Sequence, residues 1–149
     1  MTNKTWEEFN KDVEQLIQNI GEYKPDMIVP VMRGGLVPGA ILAERLGVKD
    51  IRPIGIERIG EKRRIDYDLQ GDINNLKILL VEDDLPTGIG PIHAKEIFEQ
   101  RGAKVKIAAI YVNKISKDRV DFYGEFLDPL CDLPWKPTRT NDRVLTNNY

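Results

Sequence analysis

In the stretch "ILLVEDDLPTGIGP" (78–91), Glu82, Asp83 and Asp84 close an apolar run and a threonine among glycines follows them. A buried strand can leave the core here, present acids at its end and turn through flexible backbone into a helix. Backbone N–H groups from Thr87, Gly88, Ile89 and Gly90 can then converge where the helix dipole also favours an anion. Pro91 donates nothing, so the cradle depends on the residues before it. A phosphate monoester suits it, with the Thr87 hydroxyl as an extra donor. Glu82 and Asp83 would repel that phosphate if they faced it, so they suit hydroxyl donors or a divalent cation. A sugar phosphate satisfies both ends. The same residues alone would also suit a solvated turn that caps a strand.

A second loop adds weight to the ligand reading. "MRGGLVPG" (32–39) sets Arg33, a fixed cation, beside two glycines whose backbone can be approached closely, an arrangement fit for a second anionic group.

Both loops need strands in front of them and helices behind. "MIVPVM" (27–32) is a short, partly β-branched apolar run, and "KILLV" (77–81) is the strongest strand signal in the chain. Helical spacing follows each loop, from Val37 to Leu46 and from Pro91 to Arg101. "VKIAAIYV" (105–112) then reads as a further central strand. Strand, helix and strand in this order build a mostly parallel sheet, and ligands bind such sheets beyond the carboxyl ends of the strands. At the N-terminus, Thr5 and Glu8 form a capping box for a helix from about Trp6 to Ile20, stopped by Gly21. "IRPIGIERI" (51–59) suits an edge or bulged strand. The charged stretch 59–72 has no clear period and reads as a mobile loop or a short hairpin. "DFYGEFLDPLCDLPWKP" (121–137) lies outside the alternation and reads as a small cap.

Composition bounds the rest. The 149 residues fit one domain, 41% hydrophobic and 31% charged, with runs too short to span a bilayer. No signal-peptide pattern opens the chain, and the single Cys131 has no disulfide or metal-ligand partner, so a reducing cytoplasm is expected. A net charge of −2 argues against general nucleic-acid binding. His93 reads as an exposed helical residue.

"VPVMRGGLVPGAILAERLGV" and "ILLVEDDLPTGIG" resemble the pyrophosphate loop and the phosphoribosyl-pyrophosphate (PRPP) signature of type I phosphoribosyltransferases, closest to the bacterial and archaeal xanthine-guanine group. The late "DLPW" is similar to that group's purine segment. The resemblance implies an α/β fold with a mostly parallel central sheet flanked by helices, and a small C-terminal hood (about 113–149). It implies that Met32, Arg33, Gly34 and Gly35 bind pyrophosphate, with a cis peptide before Arg33. Glu82 and Asp83 would hold the ribose hydroxyls and Mg²⁺, Thr87 to Gly90 the 5′-phosphate, and Arg63 or Arg64 would close over PRPP from the flexible loop (about 59–72). Asp132 and Trp135 would read the base. The partners implied are PRPP and a nucleobase or nucleoside monophosphate, in a homodimer or homotetramer.

The chain departs from the family pattern on the base and phosphate sides. Pro86 stands where an aspartate usually accepts the purine proton, and Gly90 where a threonine is usual. Leu130 takes the place of the stacking aromatic, and the base-binding lysine falls at Asn113 or, shifted by one, at Lys114. Two readings follow. Asp84 replaces the missing proton acceptor, with Arg33 stabilising the leaving charge, and the chain transfers phosphoribosyl groups to a 6-oxopurine. Alternatively, it keeps the pocket, has lost transfer and acts as a nucleotide-binding regulator.

Overall fold

A computed structural model describes residues 3–136. Six strands form one sheet: β1 (Met27–Met32), β2 (Ile54–Ile59), β3 (Lys62–Tyr67), β4 (Lys77–Leu85), β5 (Lys104–Val112) and β6 (Phe122–Phe126). Their order is β3-β2-β1-β4-β5-β6. All neighbours are parallel except β2 and β3. Three helices cover the sheet: α1 (Trp6–Ile20), α2 (Leu36–Leu46) and α3 (Ile89–Gln100).

The central strands bury nearly every residue, as strands covered on both faces must. Leu79 and Val81 point to one side and pack with Phe9, Val13 and Leu16 of α1 and Leu42 of α2. Ile78 and Leu80 point to the other side and meet Ala94 and Phe98 of α3. Thr5 and Glu8 cap α1 reciprocally, as their spacing requires. Tyr111, fully buried on β5, donates its hydroxyl to Asp12 of α1 at 2.6 Å, and Lys4 pairs with the same carboxylate at 2.9 Å. This polar tie fixes α1 across the sheet.

Two sequence expectations are corrected, for DFYGEF and for the start of α3, and two are resolved between their alternatives. "DFYGEF" is not part of a cap, because Phe122–Phe126 pairs in parallel with β5 as the sixth strand. The 59–72 stretch takes its hairpin form, with Lys62–Tyr67 zipped antiparallel onto β2 and a register shift at Gly55 and Ile56. The IRPIGIERI strand is therefore bulged but not at the sheet edge. α3 begins at Ile89, two residues before Pro91: Gly88 adopts φ 77°, the left-handed conformation glycine tolerates, and makes the turn. Pro91 then sits in the first turn, where its missing N–H leaves no helix bond unmade.

Strand order reverses direction between β1 and β4. In open α/β sheets, loops leaving such a pair diverge and open a crevice. The two loops singled out above leave these two strands.

Candidate active site

A cleft of about 350 Å³ opens where β1 and β4 end. Met32 lines it from β1, Glu82, Asp84 and Leu85 from β4, and Pro86, Thr87, Gly88, Gly90 and Pro91 from the turn into α3. Ile56, Arg58 and Arg63 close it from the β2–β3 hairpin. One wall thus carries carboxylates, another backbone at a helix start, and the overhang two arginines, whose guanidinium groups also donate to hairpin carbonyls, Arg58 to Gly60 and Arg63 to Lys62. That is an arrangement for a polyhydroxylated, multiply anionic ligand.

The loop after β1 is shaped by tight packing. The Met32–Arg33 peptide is cis. A Cβ on Gly35 would lie 2.2 Å from the Val81 carbonyl oxygen and 2.8 Å from Val31 backbone, so only glycine lets this turn lie between β1 and β4. Arg33 is exposed, and neither it nor Gly34 and Gly35 lines the cleft directly.

Three acids at one strand end make an unusual electrostatic centre. Asp83 and Asp84 are 2% and 7% exposed and Glu82 is half-buried. Burial, with the neighbouring Asp83 and Asp84 charges, pushes the Glu82 carboxyl well above its ordinary range. Burial and Asp84 raise Asp83 in the same direction, against the pull of Lys136. Lys136 Nζ lies 2.8 Å from Asp83 Oδ2 and also pairs with Asp84. The Trp135 indole N–H donates to Asp83 Oδ2 at 3.2 Å.

The sequence-predicted residues divide accordingly. Met32, Arg63, Glu82, Asp84, Thr87, Gly88 and Gly90 come together on the cleft. Asp83 turns toward Trp135 and Lys136 and does not line it, and Ile89 is exposed outside it. Arg64 is drawn away by an ion pair with Glu57 at 2.5 Å. The expected base-side residues lie outside this cleft. Asn113 Oδ1 accepts from the Ile115 and Ser116 N–H groups at 2.9 and 3.1 Å, and its Nδ2 donates to the Pro86 carbonyl at 3.1 Å. Lys114 is exposed. Leu130 and Trp135 pack against the α1 core, where the Trp135 ring meets Phe9 at 4.4 Å between centroids. Asp132 is half-buried and its carbonyl accepts from Lys4 N–H at 3.0 Å. Residues 137–149 of the expected hood lie outside the described residues.

Sequence reasoning missed Arg58. A signal existed: strand alternation sets Ile56 and Arg58 on the same side of β2, and both line the cleft.

Comparison with known proteins agrees with this fold. Residues 4–140 match the family described as phosphoribosyl transferase domain. A xanthine-guanine phosphoribosyltransferase of Vibrio vulnificus is 30% identical, over 91% of this chain and 90% of that protein. An orotate phosphoribosyltransferase of Sulfurisphaera tokodaii is also 30% identical over 73% of this chain, which spans only about half, 54%, of that protein. The crystal structure of a purine phosphoribosyltransferase from Pyrococcus horikoshii superposes with a TM-score of 0.84 at 28% identity, covering 93% of this chain and 96% of that one. An open, mostly parallel sheet with its cleft at the strand-order reversal defines an α/β protein with a ligand crevice beyond the carboxyl ends of its strands. The chain belongs to the phosphoribosyltransferase family, glycosyltransferases of the type I fold, and is similar to the xanthine-guanine members. Among the described residues, no helix is long and apolar enough to cross a membrane.

Proposed function

We propose that this chain transfers the 5-phosphoribosyl group of PRPP to a 6-oxopurine, releasing pyrophosphate. The observation that carries the reading is the convergence on one cleft of the β1 end, the β4 carboxylates and the glycine turn before α3. The choice of a purine rests on similarity to the Vibrio and Pyrococcus proteins across nine tenths of each chain.

The residues take the following parts. Thr87 to Gly90 hold the 5′-phosphate at the start of α3. Met32, Arg33, Gly34 and Gly35 receive the diphosphate, and Arg33 stabilises its departing charge. Arg58 and Arg63 close over the ligand from the hairpin, with Arg64 available once its pair with Glu57 opens; closure excludes water from a cation-like sugar. Glu82 holds the ribose hydroxyls from the cleft wall, joined by Asp83 once its contacts with Trp135 and Lys136 open. The bond between the sugar carbon and the diphosphate oxygen breaks, a ring nitrogen of the base bonds to that carbon, and the base proton passes to Asp84. Asp132 and Trp135, with Leu130 and Lys114, belong to the base side.

Mg²⁺ fits this donor set. It takes one or two carboxylates and draws its remaining ligands from substrate phosphates and water, and among the described residues no cluster of three or more His, Cys, Asp or Glu side chains is arranged to hold a metal unaided. Glu82 from the cleft side, and Asp83 or Asp84 beside it, would hold the ion, which when bound neutralises charge on the leaving diphosphate. We place the protein in the cytoplasm, as a homodimer or homotetramer.

Mass detection of products from PRPP, Mg²⁺ and a mixed pool of bases tests the reading. Nucleoside monophosphates of guanine, xanthine or hypoxanthine are expected. Nucleotide binding without turnover would favour the regulatory alternative, for which Pro86 at the usual proton-acceptor position is the specific observation.

A further inference from the structure

Gly88, the residue that opens α3, makes no side-chain cap bond; within the turn the Thr87 hydroxyl accepts from the Ile89 N–H at 3.4 Å, which leaves the Thr87 and Gly88 N–H groups to be oriented from elsewhere. Two side chains from beyond β5 grip it instead. Asn113 Nδ2 donates to the Pro86 carbonyl at 3.1 Å, and Arg119 Nη1 donates to the Thr87 carbonyl at 2.5 Å. Both carbonyls belong to consecutive trans peptides, whose C=O and N–H point in opposite directions across one plane. A carbonyl held on one side therefore sends the following N–H to the other. Thr87 and Gly88 line the cleft, whereas Asn113 and Arg119 do not.

We infer that Asn113 and Arg119 are positioning residues that turn the Thr87 and Gly88 N–H groups toward the cleft for the 5′-phosphate, an inference that rests on the site proposed above. The brace is itself well anchored. Asn113 is fixed by the Ile115 and Ser116 N–H groups, and Ser116 is fully buried. The Arg119 stem lies close against the turn, where a Cβ on Gly88 would come within 3.2 Å of Arg119 Cδ. A guanidinium bonded to the Thr87 carbonyl also polarises that peptide and strengthens its N–H as a donor. Asn113 thus acts on the phosphate end of the ligand, the opposite end from the base contact its sequence position suggested.

The test compares binding of ribose 5-phosphate, PRPP with Mg²⁺ and inorganic pyrophosphate by calorimetry in Arg119→Ala, Arg119→Lys and Asn113→Asp. The aspartate keeps the acceptor that anchors the side chain and removes the donor to Pro86. Ribose 5-phosphate and PRPP should bind about tenfold more weakly to Arg119→Ala and Asn113→Asp, the range expected for losing one oriented hydrogen bond to the loop. Pyrophosphate affinity should hold, and lysine should recover part of the loss. Arg119 is exposed, so its alanine variant decides the matter if Asn113→Asp fails to fold. Ribose 5-phosphate affinity within twofold of the parent in Arg119→Ala overturns the brace while leaving the site intact. Equal losses for pyrophosphate overturn it too, as general damage. Failure of the parent protein to bind any of the three ligands overturns the sugar-phosphate reading and the brace with it.

Discussion

The Lys136 ammonium lies 2.8 Å from Asp83 Oδ2 and also contacts Asp84, so a cation from the C-terminal segment closes over two buried acids at the end of β4. The adjacent Trp135 reaches the same Asp83 oxygen, at 3.2 Å. The segment is thereby tied to the central strand by charge as well as by packing on Phe9 and Trp6.

Removing that cation leaves acids with little access to water. Lys136→Met should lower unfolding free energy by about 2–3 kcal/mol in urea titrations at neutral pH, as breaking one partner of a buried pair does. A loss below about 0.5 kcal/mol, the scale of an exposed pair, would show that the bridge contributes little.

Glu82 sets the pH behaviour. Burial first, then Asp83 and Asp84, holds its folded-state pKa well above the ordinary glutamate value, with Asp83 shifted in the same direction. The folded chain therefore binds these protons more tightly than the unfolded chain, and stability falls as pH rises from the ordinary carboxyl range through the raised values. Glu82→Gln should flatten this slope and stabilise the ligand-free protein at neutral pH, measured by thermal unfolding across a pH series. An unchanged slope would show that Glu82 is ionised at no cost.

The hairpin arginines should separate by position. Arg58 and Arg63 line the cleft while Arg64 is paired with Glu57. Arg58→Ala and Arg63→Ala should each weaken PRPP binding about tenfold, the scale of one charge-assisted contact. Arg64→Ala should stay within about twofold. The reverse order in calorimetric affinities would assign closure to Arg64.

Proton transfer gives a paired prediction. Pro86 has no side-chain proton acceptor, and Asp84 is the acid on the cleft nearest to it in sequence. If Asp84 takes the base proton, Asp84→Asn should slow purine transfer by roughly 10²-fold or more, and Pro86→Asp should speed it. Unchanged steady-state rates in both variants would remove Asp84 from the chemistry.

Much of this was legible in the residues. Periodicity placed α1, β1, α2, β4 and β5 within a residue or two, except that β4 runs on through its acids, and the glycine loop after β4 marked one side of the cleft, with Met32 of the other loop lining it as well. Features that depend on distant partners were not legible. β6 is a strand because β5 offers an open edge, and Lys62–Tyr67 orders because β2 pairs with it. The charged composition of that segment gives no period to read. Asn113 shows the same limit. Its spacing suggested a base contact, yet its amide meets the Pro86 carbonyl, a partner chosen by the register of β4 with β5. Lys136 belongs with it, since no local pattern announces an ion pair across 52 positions.

The central claim is that one cleft between the β1 and β4 ends holds both anionic arms of a phosphorylated ribose. Crystals grown with PRPP and Mg²⁺ test it most directly. The 5′-phosphate should lie against the N–H groups of Thr87 to Gly90 and the diphosphate against the Met32–Gly35 turn. A sugar bound elsewhere on the protein, or both turns bare at saturating ligand, would contradict it.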